Sequence, residues 1–368
     1  LTTPDTILLH HSLSKLKKEK IDNVIIEASS HGLHQKRMNN LNLTAGIFTN
    51  FSQDHLDYHK TMKSYLNSKL ILFKHLLKKK RNIISDKSIK EFNILKKISG
   101  SKKLKLIEID SLKNKLEKNF KFKNKGFHIK NLSMAIAAAK LCKINEKKIF
   151  SSLNKIKDVN GRLELVKIFT NNVKVYIDFA HTPDALNKAL ETLKNIEGGK
   201  VSLVFGCGGN RDKSKRPLMG KIASDNCEKI YVTDDNPRKE KPDKIRQEII
   251  KNIKNKNYFN IGNRAKAIKS AILNAEPNET ILIAGKGHES EQIYKNKIIS
   301  ISDKQIIKKL KLNIKKISPQ VRLFLENKNI LKSILKKRKK ENFHGLAIDS
   351  RVLKKNNLFL TIKGKNND

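Results

Sequence analysis

Apolar and polar positions along the chain fall into a repeating order: a short β-branched run, a polar loop, then a stretch with helical spacing. The runs "NVIIEASS" (23–30) and "AGIFTNF" (45–51) predict buried strands, each leading into a polar loop. "SYLNSKLILFKHLL" (64–77) has apolar residues at helical spacing, and the Ala-rich "NLSMAIAAAKLC" (131–142) predicts a helix by propensity as well. After Gly161 a second set follows: "VKVYIDFA" (173–180), "VSLVFGCGG" (201–209), "KIYVTDD" (229–235) and "TILIAGKG" (280–287), with helices such as "DALNKALETLK" (184–194) between them. Strand, loop and helix in alternation predict an α/β fold with parallel sheets, whose ligands bind at the carboxyl ends of the strands. Two domains, 1–160 and 161–313, account for the two sets. Residues 314–342, with "LKKRKKEN" (335–342), read as a basic linker or helix, and 343–368 as the opening of a further, partial α/β unit.

Charge changes this picture less than its size suggests. The net charge is +44 and the pI about 10.1 in 368 residues. Lysines are scattered through nearly every segment beside many Asn and Ile residues, aromatics make up only 6%, and Trp is absent. A nucleic-acid binder should gather its cations on one face and interleave aromatics, so nucleic acid is not the expected partner. Attraction of an acidic, phosphorylated substrate suits the excess better. Cys142, Cys207 and Cys227 show no paired spacing, which argues against a disulfide framework and a zinc motif and for a reducing compartment. No run reaches the ~20 apolar residues of a membrane helix, and no signal peptide opens the chain. A cytoplasmic location without membrane contact is expected. The first residue is Leu, and a chain incomplete at both ends is expected.

Chemistry gathers at the strand ends. In "IIEASSHGLHQKR" (25–37), Glu27 leaves a run read as a strand and is followed by Ser29, Ser30, His31, Gln35 and Arg37, although Ser-Ser-His-Gly would serve equally as a turn. "TNFSQDHLDYH" (49–59) places Asp54 and His55 directly after a strand, and carboxylate plus imidazole with open positions suits Mg²⁺. From spacing alone, Lys69 is an ordinary amphipathic lysine. "GCGGNRDKSKRP" (206–217) is a Gly-rich loop followed by Arg211 and further cations, able to receive an anion. "AGKGHE" (284–289) is a second Gly-rich strand end, with Gly285 and Glu289. "TDDNPRKE" (233–240) runs a strand straight into Asp235, Asn236, Pro237 and Arg238, where the proline stiffens the loop that presents the arginine.

Together and in this order, "LTTPD", "EASSHGLHQKR", "TNFSQDHLDYHKTMKSYLNSKLILF", "GRLELV", "DFAHTPDAL", "VFGCGGNRDKSKRPLMG", "TDDNPR" and "LIAGKGHE" resemble the Mur ligases of peptidoglycan synthesis over residues 1–313. Among them the chain is most similar to the branch that adds 2,6-diaminopimelate. The resemblance implies a central domain with a parallel sheet, here incomplete, and a Rossmann-like C-terminal domain. It implies an ATP-dependent ligase that turns a substrate carboxylate into an acyl phosphate, which the incoming amino acid attacks. Glu27 and His55 are implied as Mg²⁺ ligands, with Lys69 as a carbamylated, catalytic third. Thr2, Thr3, Ser29, Gln35 and Arg37 are implied to hold UDP-N-acetylmuramoyl-L-alanyl-D-glutamate, and Asn131, Arg162 and Asp178 to contact ATP. Arg211, Asp235, Asn236, Pro237, Arg238, Gly285 and Glu289 are implied to bind meso-2,6-diaminopimelate. Arg211 and Arg238 would grip its distal carboxylate, and Asp235 and Glu289 would accept from its distal ammonium. Lysine lacks that carboxylate and would leave two guanidinium groups unpartnered.

Departures from the family pattern are specific. No G-x-x-x-x-G-K-[ST] loop occurs in the chain, so these residues alone are expected not to turn over ATP. His128-Ile-Lys-Asn131 replaces the first amide of an N-x-x-N pattern, and Phe179 stands where Tyr is usual. "GLAIDSRVLKKNNLFLTIKGKNND" (345–368) is similar to the opening of a Mur ligase of the D-alanyl-D-alanine-adding type, as in a fusion of consecutive enzymes. The rival readings are a lysine-adding or folylpolyglutamate-synthase-like ligase, and a lysine-rich nucleic-acid-binding protein on a ligase scaffold.

Overall fold

The computed structural model describes residues 2–119, 127–156, 159–254 and 257–310, and the backbone of 345–347 and 357–359. The chain divides into two compact units, Leu1–Lys311 and Leu312–Asp368.

The first unit is built on two sheets. Strands β1 (Ala45–Phe48), β2 (Asn82–Ser85) and β3 (Lys105–Glu108) pair in parallel in that order. Ile83 and Ile84 of β2 are both fully buried because successive residues face opposite sides of a covered parallel sheet. Ile83 packs with Leu33, Leu70, Phe73 and Leu95, while Ile84 packs with Met134 and Ala137 of the helix Phe127–Leu141. Four helices lie ahead of β2: α1 (Thr6–Lys18), α2 (Ser30–His34), α3 (Leu56–His59) and α4 (Met62–Ile71). A π-helical turn, Leu72–Leu76, continues directly from α4.

The second sheet has six strands: β4 (Glu164–Ile168), β5 (Lys174–Asp178), β6 (Val201–Phe205), β7 (Lys229–Val232), β8 (Tyr258–Asn260) and β9 (Thr280–Ala284). Their spatial order is β4-β5-β9-β6-β7-β8, and every pairing is parallel except β4 with β5. The helix Pro183–Glu197 covers it through Leu186, Leu190 and Leu193. Thr182 caps that helix, proline opens it and Gly198 closes it in a left-handed conformation, which fixes both ends from local sequence. A hairpin of β10 (Glu291–Tyr294) and β11 (Lys297–Ser300) follows β9. In the second unit, β12 (Gly345–Ala347) and β13 (Asn357–Phe359) pair in parallel, while the linker expected over 314–342 lies outside the described residues. Among the described residues no helix is long and apolar enough to cross a membrane.

One expected strand is not formed. Residues 23–28 run without strand pairing, Ile25 is 85% exposed, and α2 begins at Ser30. An apolar run becomes a strand only when a neighbour receives its backbone bonds and side chains, and no described strand lies beside this one. The strand expected over 45–51 ends at Phe48.

Candidate active site

At the first sheet, a web of short bonds gathers the residues expected to hold the acidic substrate. Thr3, 1% exposed, donates its hydroxyl to the Glu27 carbonyl (2.7 Å) and shares a hydrogen bond with the Ser29 hydroxyl (2.9 Å). The Arg37 guanidinium donates to the Thr3 carbonyl (2.8 Å) and to the Gln35 side chain. Gln35 and His34 both meet the Tyr58 hydroxyl, at 3.1 and 2.9 Å. Thr2 is exposed and stands outside this web.

The loop after β1 carries His55 in a left-handed backbone conformation (φ 57°), anchored by its own amide on the Asp54 carboxylate (2.9 Å). It is also docked on the second half of the unit. Gln53 donates to Asp212 (3.0 Å) and Ser214 (2.8 Å), and the Asp54 carboxylate lies 3.5 Å from His181 and 3.8 Å from Lys215. Burial works against the Asp54 charge, but the bond from His181 and the charges of Lys215 and His55 more than offset it, holding the carboxyl well below its ordinary range.

Lys69 sits on α4 with its ammonium 5.1 Å from the centre of the Tyr65 ring. Burial pushes its pKa down, while the charges of Asp54 and Glu27 pull the other way. Lys69 in turn helps depress His55, after burial, which places the three expected metal-site residues within one electrostatic neighbourhood. Among the described residues no three His, Cys, Asp or Glu side chains gather as a ready-made metal site. Glu27 is exposed, and its carboxylate and the His55 imidazole are each coupled to the half-buried Lys69 amine; such donors suit a hard divalent ion that keeps several waters. Carbamylation of that amine would add the third ligand, and burial favours the neutral amine, the form that reacts with CO₂.

The second sheet supplies the other pocket. The loops after β6 and β7 touch backbone to backbone: the Gly209 amide donates to the Asn236 carbonyl (2.9 Å), and a Cβ on Gly209 would fall 1.9 Å from the Pro237 carbonyl. That approach brings the two arginines together. A Cβ at Gly208 would stand 2.9 Å from Arg238 Nη1 and 3.7 Å from Arg211 Cγ. Burial, then the Arg211 charge, lowers the Arg238 pKa. Both guanidiniums donate only to backbone carbonyls: Arg238 to Gly209 (3.0 Å) and Asn236 (3.3 Å), Arg211 to Asn210 (3.2 Å). No ion pair engages either among the described residues.

On the other side of the pocket, the Asn236 side chain donates to Glu289 (3.3 Å) and accepts from the Ile293 amide (3.0 Å). The Asp235 carboxylate accepts from the Asn236 amide (2.7 Å). Gly285, at φ 106°, lies so close that a Cβ would stand 2.9 Å from Asp235 Oδ2. Each of the seven residues expected in this pocket stands on these three loops. Lys286 was not anticipated: its side chain is fully buried and its ammonium holds Glu289 (3.0 Å) and Asn236 (3.3 Å). Behind them Arg264 grips Asp303 through two bonds (2.8 and 2.7 Å) and also donates to the Ala284 carbonyl (3.0 Å).

The expected nucleotide contacts are divided. Arg162 lies 4.8 Å from the centre of the Phe179 ring, and Asp178 accepts from the Leu163 (2.7 Å) and Ala180 (2.7 Å) amides, so these two share one corner. Asn131 is exposed on its helix, and no hydrogen bond joins it to either. The sequence also gave no sign of the imidazole–phenol cluster beneath the first site. His31 lies between the rings of His55 (5.0 Å), Tyr58 (4.2 Å) and His59 (5.3 Å).

Two α/β halves, each with charged loops at the carboxyl ends of parallel strands and bonded to each other through those loops, have the architecture of an α/β enzyme whose ligands meet at strand ends. Residues 1–162 match the Mur ligase middle domain and residues 161–287 the Mur ligase, glutamate ligase domain. The chain belongs to the Mur ligase family, whose members are ATP-dependent amide ligases. It is 43% identical over 329 residues to the UDP-N-acetylmuramoyl-L-alanyl-D-glutamate–2,6-diaminopimelate ligase of Rickettsia bellii, covering 83% of this chain and 69% of that one. The corresponding ligase 1 of Clostridium acetobutylicum is 37% identical over 326 residues, covering 83% and 67%. A solved structure of a UDP-N-acetylmuramoyl-L-alanyl-D-glutamate–2,6-diaminopimelate ligase superposes with a TM-score of 0.50 at 27% identity, over 83% of this chain and 68% of that one. A bifunctional folylpolyglutamate synthase/dihydrofolate synthase from Yersinia pestis, at 15% identity and TM-score 0.52 over 68% of this chain and 60% of that one, shares the fold alone.

Proposed function

We propose that this chain serves as a cytoplasmic, ATP-dependent ligase that joins meso-2,6-diaminopimelate to UDP-N-acetylmuramoyl-L-alanyl-D-glutamate. One observation carries the choice of amino acid: two guanidiniums without carboxylate partners, Arg211 and Arg238, stand opposite Asp235 and Glu289 in one pocket. Such a pocket matches an end group that bears both a carboxylate and an ammonium. A carboxylate entering it satisfies two cations at once, whereas lysine leaves both without a partner, at a cost of a few kcal/mol.

The residues divide the work. Thr3, Ser29, Gln35 and Arg37, with Thr2 beside them, would hold the muramoyl dipeptide. Glu27, His55 and carbamylated Lys69 would hold Mg²⁺, which when bound neutralises phosphate charge as the substrate carboxylate is activated by ATP. Asn131, Arg162 and Asp178 are proposed contacts to ATP. Asn236 and Pro237 shape the loop from which Arg238 is presented. The rest of the rate enhancement comes from orientation: the loops that bond Gln53 and Asp54 to the amino-acid domain hold the two reactants face to face.

The test is calorimetry of meso-2,6-diaminopimelate and L-lysine on the full chain. Diaminopimelate should bind at least about 100-fold more tightly, and Arg238→Ala should remove most of that preference. Equal affinity for the two amino acids would overturn the assignment.

A further inference from the structure

We propose that Asp57, in the first turn of α3 directly after His55, completes the amino-acid site by accepting a hydrogen bond from the reacting amino group of the incoming amino acid. This rests on the functional reading above and adds a residue to it. Diaminopimelate bears two ammonium groups and two carboxylates, and the pocket of Arg211, Arg238, Asp235 and Glu289 accommodates one end. The other end, which carries the reacting nitrogen, must then face the half of the molecule where Thr3, Ser29 and Arg37 are bonded together, the proposed place of the acyl group.

Three observations place Asp57 in that position. The loop that leads into α3 is fixed to the amino-acid domain by Gln53, whose two partners, Asp212 and Ser214, lie just beyond Arg211 in sequence. Asp57 Oδ1 is buried and has no hydrogen-bond partner. The nearby guanidiniums of Arg211 and Arg238 are bonded to carbonyls only, and neither reaches this carboxylate. The Asp57 charge is nonetheless felt on both sides of the gap, at Arg238 and at His31.

An orphaned, buried carboxylate oxygen destabilises the free protein, since its lost hydration is not replaced. Residues that bind ligand are where such unmet demand persists, and a ligand N–H would satisfy it. A purely structural aspartate would instead be bonded within the fold.

Asp57→Asn separates the two, because it removes the charge and keeps the shape. In the full chain, meso-2,6-diaminopimelate should bind at least about tenfold more weakly by calorimetry, while the melting temperature without ligand stays the same or rises. Asp57→Ser should behave in the same way. Affinity within about twofold of wild type in both variants would overturn the proposal, as would a clear fall in melting temperature or failure to fold, which would make Asp57 structural. A wild-type chain that binds no diaminopimelate would refute the functional reading itself, an outcome distinct from a wild type that binds and variants that bind equally well.

Discussion

Gln53 and Asp212 are 159 positions apart in sequence, yet their side chains are bonded at 3.0 Å, so the loop of a proposed metal ligand is tied directly to the loop of a proposed amino-acid ligand. Gln53→Ala should therefore weaken diaminopimelate binding by roughly five- to tenfold, about the net value of one ordinary hydrogen bond. Hydrogen exchange should rise in residues 206–216, with the core strand β6 unchanged. Faster exchange throughout the second sheet would instead indicate general destabilisation.

Gly285 joins a positive φ to a tight contact with Asp235. Gly285→Ala should destabilise the chain by about 1–3 kcal/mol in urea unfolding, from strain and displacement together. Binding of diaminopimelate should fall further than stability, because the atom displaced is a carboxylate oxygen of the pocket. An unchanged affinity would show that Asp235 tolerates displacement.

Arg264 and Asp303 are both fully buried at the side chain and bonded to each other. Arg264→Met leaves a carboxylate without a cation in the interior and should cost about 3–5 kcal/mol. Combining it with Asp303→Leu should recover most of the loss, since an apolar pair of similar volume replaces an ion pair with little penalty. Urea midpoints of the wild type, the single and the double variants check this; additive losses would contradict it.

His59 is 4% exposed, bonded to Ser30 (2.9 Å) and facing His31, His34, His55 and Asp57. Burial, aided by the neighbouring imidazoles, pushes its pKa from 6.5 down to about 4. Between those values the unfolded chain binds more protons than the folded one, so stability is full above about pH 6.5 and falls as the pH drops toward 4. The loss should be roughly 1–3 kcal/mol, levelling off at lower pH. His59→Gln should lack this component; identical pH profiles for the two proteins would show that another group sets it.

What could be read in the sequence was what depends on neighbours in the chain. The β-branched runs that became β5, β6, β7 and β9, and the helix from Pro183, were legible because pattern and caps agree. Residues of the amino-acid pocket were legible through quoted motifs, since Asp235 to Arg238 and Gly285 to Glu289 are contiguous. Short strands such as β2 and β3, four residues each, were not recognised as strands between Lys-rich flanks. The run at 23–28 misled for the opposite reason: its composition is strand-like, but no described strand pairs with it. Lys286 and Asp57 stayed hidden because burial of one charge and isolation of the other are properties of the assembled loops alone.

The π-helical turn at Leu72–Leu76 lies three residues beyond Lys69. Such a turn takes up one more residue than an α-turn, so it absorbs an insertion locally without rotating what precedes it. The helix can thus change length on its far side through evolution while the amine keeps its aim, and deleting a single residue from 72–76 should restore a regular spiral and leave Lys69 where it is.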